Sequence, residues 1–320
     1  FIIFLISLAS YSMFFQAQEE LWNKKVVGLL GTATLAFMMG LADDAYNTRP
    51  FLKLFVQILC GAILAYSGII IGIFPNMVFN YILTIIWVVG IMNSVNMLDN
   101  MDAISTIVSI SIFSTALMLL LIAHFENNIH FLILLGVIAA LSGFLIFNWH
   151  PAKLFMGDTG SQILGLLLAA IGIIYFWNDS ASMSDTISVS KQIMMVAITF
   201  ILPISDTTIV IINRLLDKRS PFIGGKDHTT HYLFYRGITE KRIAVLYGVI
   251  GIASAYLIYF IETKIPSWTF NDFLILSIFP LGIFIFLFTI TRIKKSIISQ
   301  NTPSKGTSSA FSDNTSVKHV

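Results

Sequence analysis

The chain alternates long apolar runs with short polar breaks. The runs lie at about 1–15, 26–42, 52–73, 79–97, 104–123, 129–147, 162–177, 192–213, 243–261 and 273–291. Most approach the roughly 20 residues an α-helix needs to cross a hydrocarbon core. In lipid every backbone polar group must be satisfied within its own segment, so each run is expected to be a helix. Their unbroken apolar length excludes the strict alternation of a membrane barrel. The expected fold is all-α and polytopic, with ten spans visible. The first run is short for a span and lacks the basic flank and small-residue cleavage site of a signal peptide. It reads as part of a chain that has lost its first segment, with eleven helices in the intact protein. One transmembrane domain is expected over 1–298, and the Ser-, Thr-, Asn- and Lys-rich stretch 299–320 is expected to be a disordered tail.

Composition strengthens this picture. The chain is 56% hydrophobic and 11% charged, against about 25% charged in a soluble domain. The single cysteine, Cys60, lies inside an apolar run, which excludes an internal disulfide and reads as core packing. Net charge is +2, but its distribution says more than its sum. With the runs threaded alternately, Lys24, Lys25, Lys191 and Lys264 fall on one side and the other fifteen of nineteen Lys and Arg on the opposite side. The bias makes the richer side cytoplasmic.

Four polar motifs interrupt the runs on that side: Asp43-Asp44, the stretch from Asn96 to Asp102, the stretch from Asn148 to Ser161 (NWHPAKLFMGDTGS), and the stretch from Gly224 to His231 (GGKDHTTH). Their shared side predicts one site assembled from separate loops and facing the cytoplasm. Adjacent carboxylates repel, so Asp43 and Asp44 stay ionised beside a cation or a basic group. Successive helix residues point about 100° apart, so one can face a reacting group while the other meets a neighbour. A solvated helix end is the alternative for the pair. Lys53 reads either as a snorkelling interface residue or as a phosphate partner.

Asn96, Asp99 and Asp102, spaced i, i+3, i+6, form one polar stripe if helical. The stripe suits a divalent cation or the edge of a sugar or base; the alternative is capping, with Asp102 as an N-cap. Gly157 and Gly160 flank Asp158 and allow close backbone approach. A carboxylate on such a turn is a good Mg²⁺ ligand beside a diphosphate. Phe155 can stack on a planar base or pack apolarly, and His150 reads as structural. His228 and His231 are too few to hold zinc; with Lys218, Arg219, Lys226 and Arg236 nearby they read as phosphate partners, with a solvated basic loop as the alternative. Asp206, in mid-run three residues after Pro203, is either functional or bonded to backbone groups freed at a proline kink.

Three motifs in order carry a resemblance: Gly40-Leu41-Ala42-Asp43-Asp44, the stretch from Asn93 to Asp102 (NSVNMLDNMD), and Phe155-Met156-Gly157-Asp158-Thr159-Gly160-Ser161. With them the chain, from about Gly28 to Arg242, resembles the polyprenyl-phosphate N-acetylhexosamine-1-phosphate transferases. That family includes GlcNAc-1-phosphate transferases, the nearer branch by the histidine loop, and phospho-MurNAc-pentapeptide transferases. The resemblance implies a bacterial cytoplasmic-membrane enzyme with the C-terminus in the cytoplasm. It would pass sugar-1-phosphate from a UDP-N-acetylhexosamine to a polyprenyl (undecaprenyl) phosphate and release UMP. By resemblance Asp43, Asp44 and Asp102 make the catalytic set. Asp158 binds Mg²⁺, or Mn²⁺ in its place. Lys53, Asn96, Asp99, Asn148, Phe155, His228 and His231 bind substrate, with Asn148 and Phe155 at the uridine. A homodimer is compatible with the family, and no nucleic-acid partner is expected. The sequence departs from the family in two places. Its histidine loop reads His-Thr-Thr-His rather than His-x-His-His, and Asn100 and Ala103 stand where glycines are frequent. The alternatives are another UDP-HexNAc transferase, including the pentapeptide enzyme, and an ion-coupled transporter with Asp206 as its ion site. A transporter should show midplane polar clusters and internal repeats; no repeat is evident.

Overall fold

The computed structural model of the protein describes residues 23–123, 129–178, 189–220 and 225–293. The expected first span, the tail 299–320 and Gly224 lie outside the described residues. Within them the secondary structure is helical: α1 (Lys24–Tyr46), α2 (Pro50–Tyr66), α3 (Met77–Leu98), α4 (Ile104–Ile122), α5 (Ile129–Asn148), α6 (Gly157–Ile171), α7 (Val189–Thr199), α8 (Ile201–Leu216), α9 (Thr229–Tyr235), α10 (Glu240–Lys264) and α11 (Phe270–Ile293). A π-helical stretch, Gly172–Trp177, continues α6. The protein is an all-α, multi-pass membrane protein. Seven described helices are long and apolar enough to cross a bilayer, and eight if the bent pair α7–α8 is one span. The α2 helix is shorter, at 17 residues.

Local chemistry sets the ends. Asn23 Oδ1 accepts from Lys25 N at 3.0 Å and caps α1, and Pro50 begins α2, where its missing N–H costs nothing. The run expected to extend α2 to residue 73 leaves the helix after Tyr66. Side chains satisfy the extended backbone that follows: Ile71 N donates to Thr84 Oγ1 at 2.9 Å, Phe74 N donates to Asn80 Oδ1 at 2.9 Å, and Asn178 Nδ2 donates to Ile70 O at 2.8 Å. Irregular backbone needs such partners in an apolar setting.

The expected eighth span is not one helix. α7 and α8 meet at 80°, and the break falls at Phe200 rather than at Pro203. Pro203 lies in the first turn of α8, where its ring and missing N–H are tolerated. It starts a helix instead of kinking one.

The most enclosed span is α6, packed on α1, α3 and α4. Its N-terminus meets the C-terminal ends of α1 and α3 at one end of the bundle. Gly40 makes this approach feasible: a Cβ there would lie 2.5 Å from both Asp158 O and Thr159 Cα. The site is therefore built where three helix ends meet.

Candidate active site

Asp43 and Asp44 point to different partners, as their helical spacing requires. Thr48 donates to Asp43 Oδ1 through its N–H at 2.9 Å and its hydroxyl at 2.5 Å. Lys53 Nζ lies 3.0 Å from Asp43 Oδ2 and 3.2 Å from Asp158 Oδ2, and donates to Asn96 Oδ1 at 3.4 Å. Lys53 is thus more than a snorkelling residue: it sits between two carboxylates. Asp44 instead receives the start of α6. Asp158 N donates to its Oδ1 at 2.8 Å, and Thr159 donates to its Oδ2 through N at 2.9 Å and Oγ1 at 2.5 Å. A carboxylate at a helix N-terminus is favoured by the helix dipole and by the unpaired N–H groups there. Gly157, at φ 65°, turns the chain into α6 beside Asp44.

Asn96 completes the cluster. Its Nδ2 donates to Asp158 Oδ1 and, at 2.8 Å, to Ser161 Oγ. One turn deeper, Gln57, Asn93 and Gln162 form a buried amide network, with Gln57 Nε2 donating to Gln162 Oε1 at 3.1 Å and Asn93 Nδ2 to Gln57 Oε1 at 2.8 Å. Sequence reasoning passed over Gln57 and Gln162. Uncharged amides inside apolar runs were the available signal.

The stripe Asn96–Asp99–Asp102 is broken, because α3 ends at Leu98 and Asp99 caps it. Asp99 stays close to the cluster: burial raises its carboxyl above the ordinary range and the Asp158 charge adds to this, while the Ser105 hydroxyl, 2.6 Å away, opposes them. Asp102 belongs elsewhere. Its Oδ2 accepts from His150 Nδ1 at 2.8 Å and from Ala152 N at 3.0 Å, and His150 Nδ1 lies 2.9 Å from Glu240 Oε2. Among the described residues no hydrogen bond or ion pair links Asp102 to Asp43, Asp44 or Asp158. The geometry corrects its N-cap reading: Asp102 holds the 149–156 loop, whose His150 reaches Glu240 at the start of α10. Ala103, at φ 65°, holds the N-cap position of α4.

Asn148 is also held by neighbouring groups. It is 4% exposed. Its Oδ1 accepts from Ala103 N at 3.1 Å and Thr106 Oγ1 at 3.0 Å, and its Nδ2 donates to Leu154 O at 3.0 Å. The carboxamide caps α4 from a distance. Phe155 is largely exposed. It lines an apolar groove of about 690 Å³ between α1, α5 and α6, together with Met156, Thr159 and Ile163.

The histidine loop forms a second, buried assembly. Asp206, fully buried, lies 2.8 Å from His228 Nδ1 and accepts from Thr229 N at 2.8 Å and Thr229 Oγ1 at 2.5 Å. Tyr247 Oη joins Thr229 Oγ1 at 2.7 Å. Asp206 therefore bonds to the α9 start, not to backbone freed at a kink. His231 stacks obliquely on His228 at 5.8 Å. Its Nδ1 is buried with no hydrogen-bond partner among the described residues, and burial, then the His228 charge, lowers its pKa. Part of the expected basic field is already neutralised. Arg214 grips Asp227 at 2.9 and 2.7 Å, and Arg219 reaches the same carboxylate at 3.3 Å. Arg214 holds the Asp227 carboxyl below its usual range. Arg236 donates to Ile290 O near the end of α11 at 3.1 Å.

Comparison with known proteins places this geometry. Residues 26–176 match the family model described as glycosyl transferase family 4. A probable undecaprenyl-phosphate N-acetylglucosaminyl 1-phosphate transferase of Bacillus subtilis (strain 168) is 29% identical over 68% of this chain and 61% of its own length. A decaprenyl-phosphate N-acetylglucosaminephosphotransferase of Mycolicibacterium smegmatis is 28% identical over 71% of this chain and 62% of its own. A phospho-N-acetylmuramoyl-pentapeptide-transferase of Streptococcus uberis is 36% identical over 46% of this chain and 49% of its own. The chain thus spans less than two thirds of the length of these relatives. The matched region contains the helix ends that carry Asp43, Asp44, Lys53, Asn96 and Asp158, so the site lies in the part of the chain that is similar to glycosyl transferase family 4.

Proposed function

We propose that this protein transfers N-acetylhexosamine-1-phosphate, from a UDP-sugar, to a polyprenyl phosphate on the cytoplasmic side of a bacterial membrane. The observation that carries this reading is the carboxylate cluster: Asp43 and Asp158 share the ammonium of Lys53, and Asp44 lies beside them against the start of α6. Three carboxylates and one cation leave an excess of negative charge in an open, polar site. Hard oxygen donors in that surplus suit Mg²⁺, with Mn²⁺ as a substitute. Asp158 and Asp43 are the residues that would hold it. When bound, the ion supplies charge neutralisation of the diphosphate and of the departing UMP.

The chain's own groups do the rest. Phosphoryl transfer depends on positioning and charge more than on covalent work by the protein. A lipid-phosphate oxygen forms a bond to the sugar-bearing phosphorus as the bond to UMP breaks. A prenyl phosphate is already largely ionised at neutral pH, so Asp43 aligns it rather than removing a proton. Lys53 fixes Asp43 and Asp158 and offers its charge to incoming phosphate. Asp44, with both oxygens engaged, holds the α6 start so that Asp158 is presented. Asn96 orients Asp158, and Asp99 lies on the nucleotide side. His228, fixed by Asp206, and His231, with a free Nδ1, are the donors left for phosphate or sugar. The apolar groove of about 690 Å³ beside Thr159 supports an isoprenoid partner.

The sugar is N-acetylglucosamine in this reading, since the relatives that match over two thirds of this chain carry that sugar in their names. Incubating membranes containing the full chain with UDP-GlcNAc, Mg²⁺ and undecaprenyl phosphate should release UMP and yield a lipid heavier by one GlcNAc-phosphate. Absence of UMP release with every UDP-HexNAc would refute the enzyme reading.

A further inference from the structure

Asn100 follows the Asp99 cap of α3. Its Nδ2 donates to Met97 O at 2.7 Å, one of the carbonyls a helix end leaves without an intrahelical partner. Its Oδ1 accepts from Thr230 Oγ1 at 2.6 Å, across 130 residues of sequence. Thr230 is fully buried in the first turn of α9, so its hydroxyl has no water to replace that acceptor. One side chain therefore both closes α3 and ties it to the histidine helix. The α3 end carries Asn96 and Asp99. The α9 start carries His228 and His231. Both positions are also departures from the family pattern: an asparagine where glycine is frequent, and a threonine inside the histidine motif. A glycine at position 100 could make neither bond.

We propose that Asn100 and Thr230 are one coupled positioning pair that keeps the 96–100 segment in register with the histidine helix for binding of the UDP-sugar. The substrate named here rests on the proposed function; the coupling rests on the geometry. Neither side chain is assigned to the reacting atoms, so the pair acts on substrate affinity and spares the chemical step.

The test uses the full chain in membranes, with Asn100→Ala, Thr230→Val, the double variant and Thr230→Ser. Loss of one buried hydrogen bond should raise KM for UDP-GlcNAc about three- to tenfold in each single variant. With the bond already gone, the double variant should be no worse than the poorer single one. Thr230→Ser should restore the wild-type KM, and kcat should hold within about twofold throughout. Unchanged KM in both single variants, or effects that multiply in the double, would overturn the proposal. Hydrogen exchange tests the coupling without turnover: Thr230→Val should speed amide exchange over residues 99–104 and leave 163–171 unchanged. Unaltered exchange at 99–104 would overturn it even if the wild type turned nothing over, a result that would separately refute the proposed function.

Discussion

The carboxylate cluster and the histidine assembly are both polar islands in an apolar bundle, but they are balanced differently. Around Lys53, two carboxylates share one ammonium in a partly exposed setting, with Asp44 beside them against the α6 start. Around Asp206, polar and charged groups are partnered and buried: Asp206 bonds to His228 and Thr229, and Asp227 pairs with Arg214. Burying charge is costly unless it is paired and hydrogen-bonded, so the second region reads as a frame that fixes His228 and His231. The first keeps an unbalanced charge where solvent can reach it. Surplus charge in an open cleft marks the place for chemistry; matched charge in a closed one marks its support.

If that contrast holds, Asp43→Asn should have the largest effect. Removing a charge from the unbalanced cluster is expected to lower turnover by about a hundred- to a thousandfold, the scale seen when one electrostatic partner of a transition state is lost, while thermal unfolding changes little. A variant that unfolds early instead would make Asp43 part of the frame. Asp206→Ala reverses the pattern. It strands His228 and the Thr229 N–H without their buried acceptor, for a stability loss of about 3 kcal/mol, read as a lower midpoint in detergent unfolding. Full stability would dissolve the distinction.

A smaller change tests how the open cluster is assembled. Gly40→Ala drives a Cβ toward backbone atoms of Asp158 and Thr159 that cannot swing aside. The expected cost is about 1–3 kcal/mol of overpacking, with activity lost through a displaced Asp158. Normal activity would mean that α1 and α6 need not touch at the site.

The smallest effect concerns pH. Arg214 lowers the Asp227 pKa, so the stabilisation is complete above the unfolded value of about 3.9 and fades as pH falls from there toward the lower folded value. Asp227→Asn should lower the unfolding midpoint at neutral pH and flatten its fall on acidification below that value. Parallel wild-type and variant curves would remove Asp227 from the frame.

Much of this was legible along the chain, for identifiable reasons. Apolar length locates helices well because each span must satisfy its own backbone. The polar motifs stood out because they sit at the ends of those runs. The break at Phe200 did not, since apolar composition is continuous through it and carries no direction. Pro203 gave a real signal that was assigned to a kink when it marks a first turn. The structural partners of Asn148 and Asp102 were not legible, because polar side chains near turns serve substrates and helix caps alike. What decides is the partner, and for Asn148 that partner, Ala103, lies 45 residues away. The division between Asp43 and Asp44 was foreseen as a consequence of helical spacing; only the fold assigns the α6 terminus to Asp44.

The central claim is that the unbalanced carboxylates hold the divalent cation that the transfer needs. UMP release measured against Mg²⁺ concentration, for the wild-type chain and for Asp158→Asn in the same membranes, tests it most directly. The account predicts a saturable Mg²⁺ requirement in the wild type, and in the variant either no turnover or a requirement shifted to far higher concentration. An unchanged Mg²⁺ dependence in Asp158→Asn would contradict it.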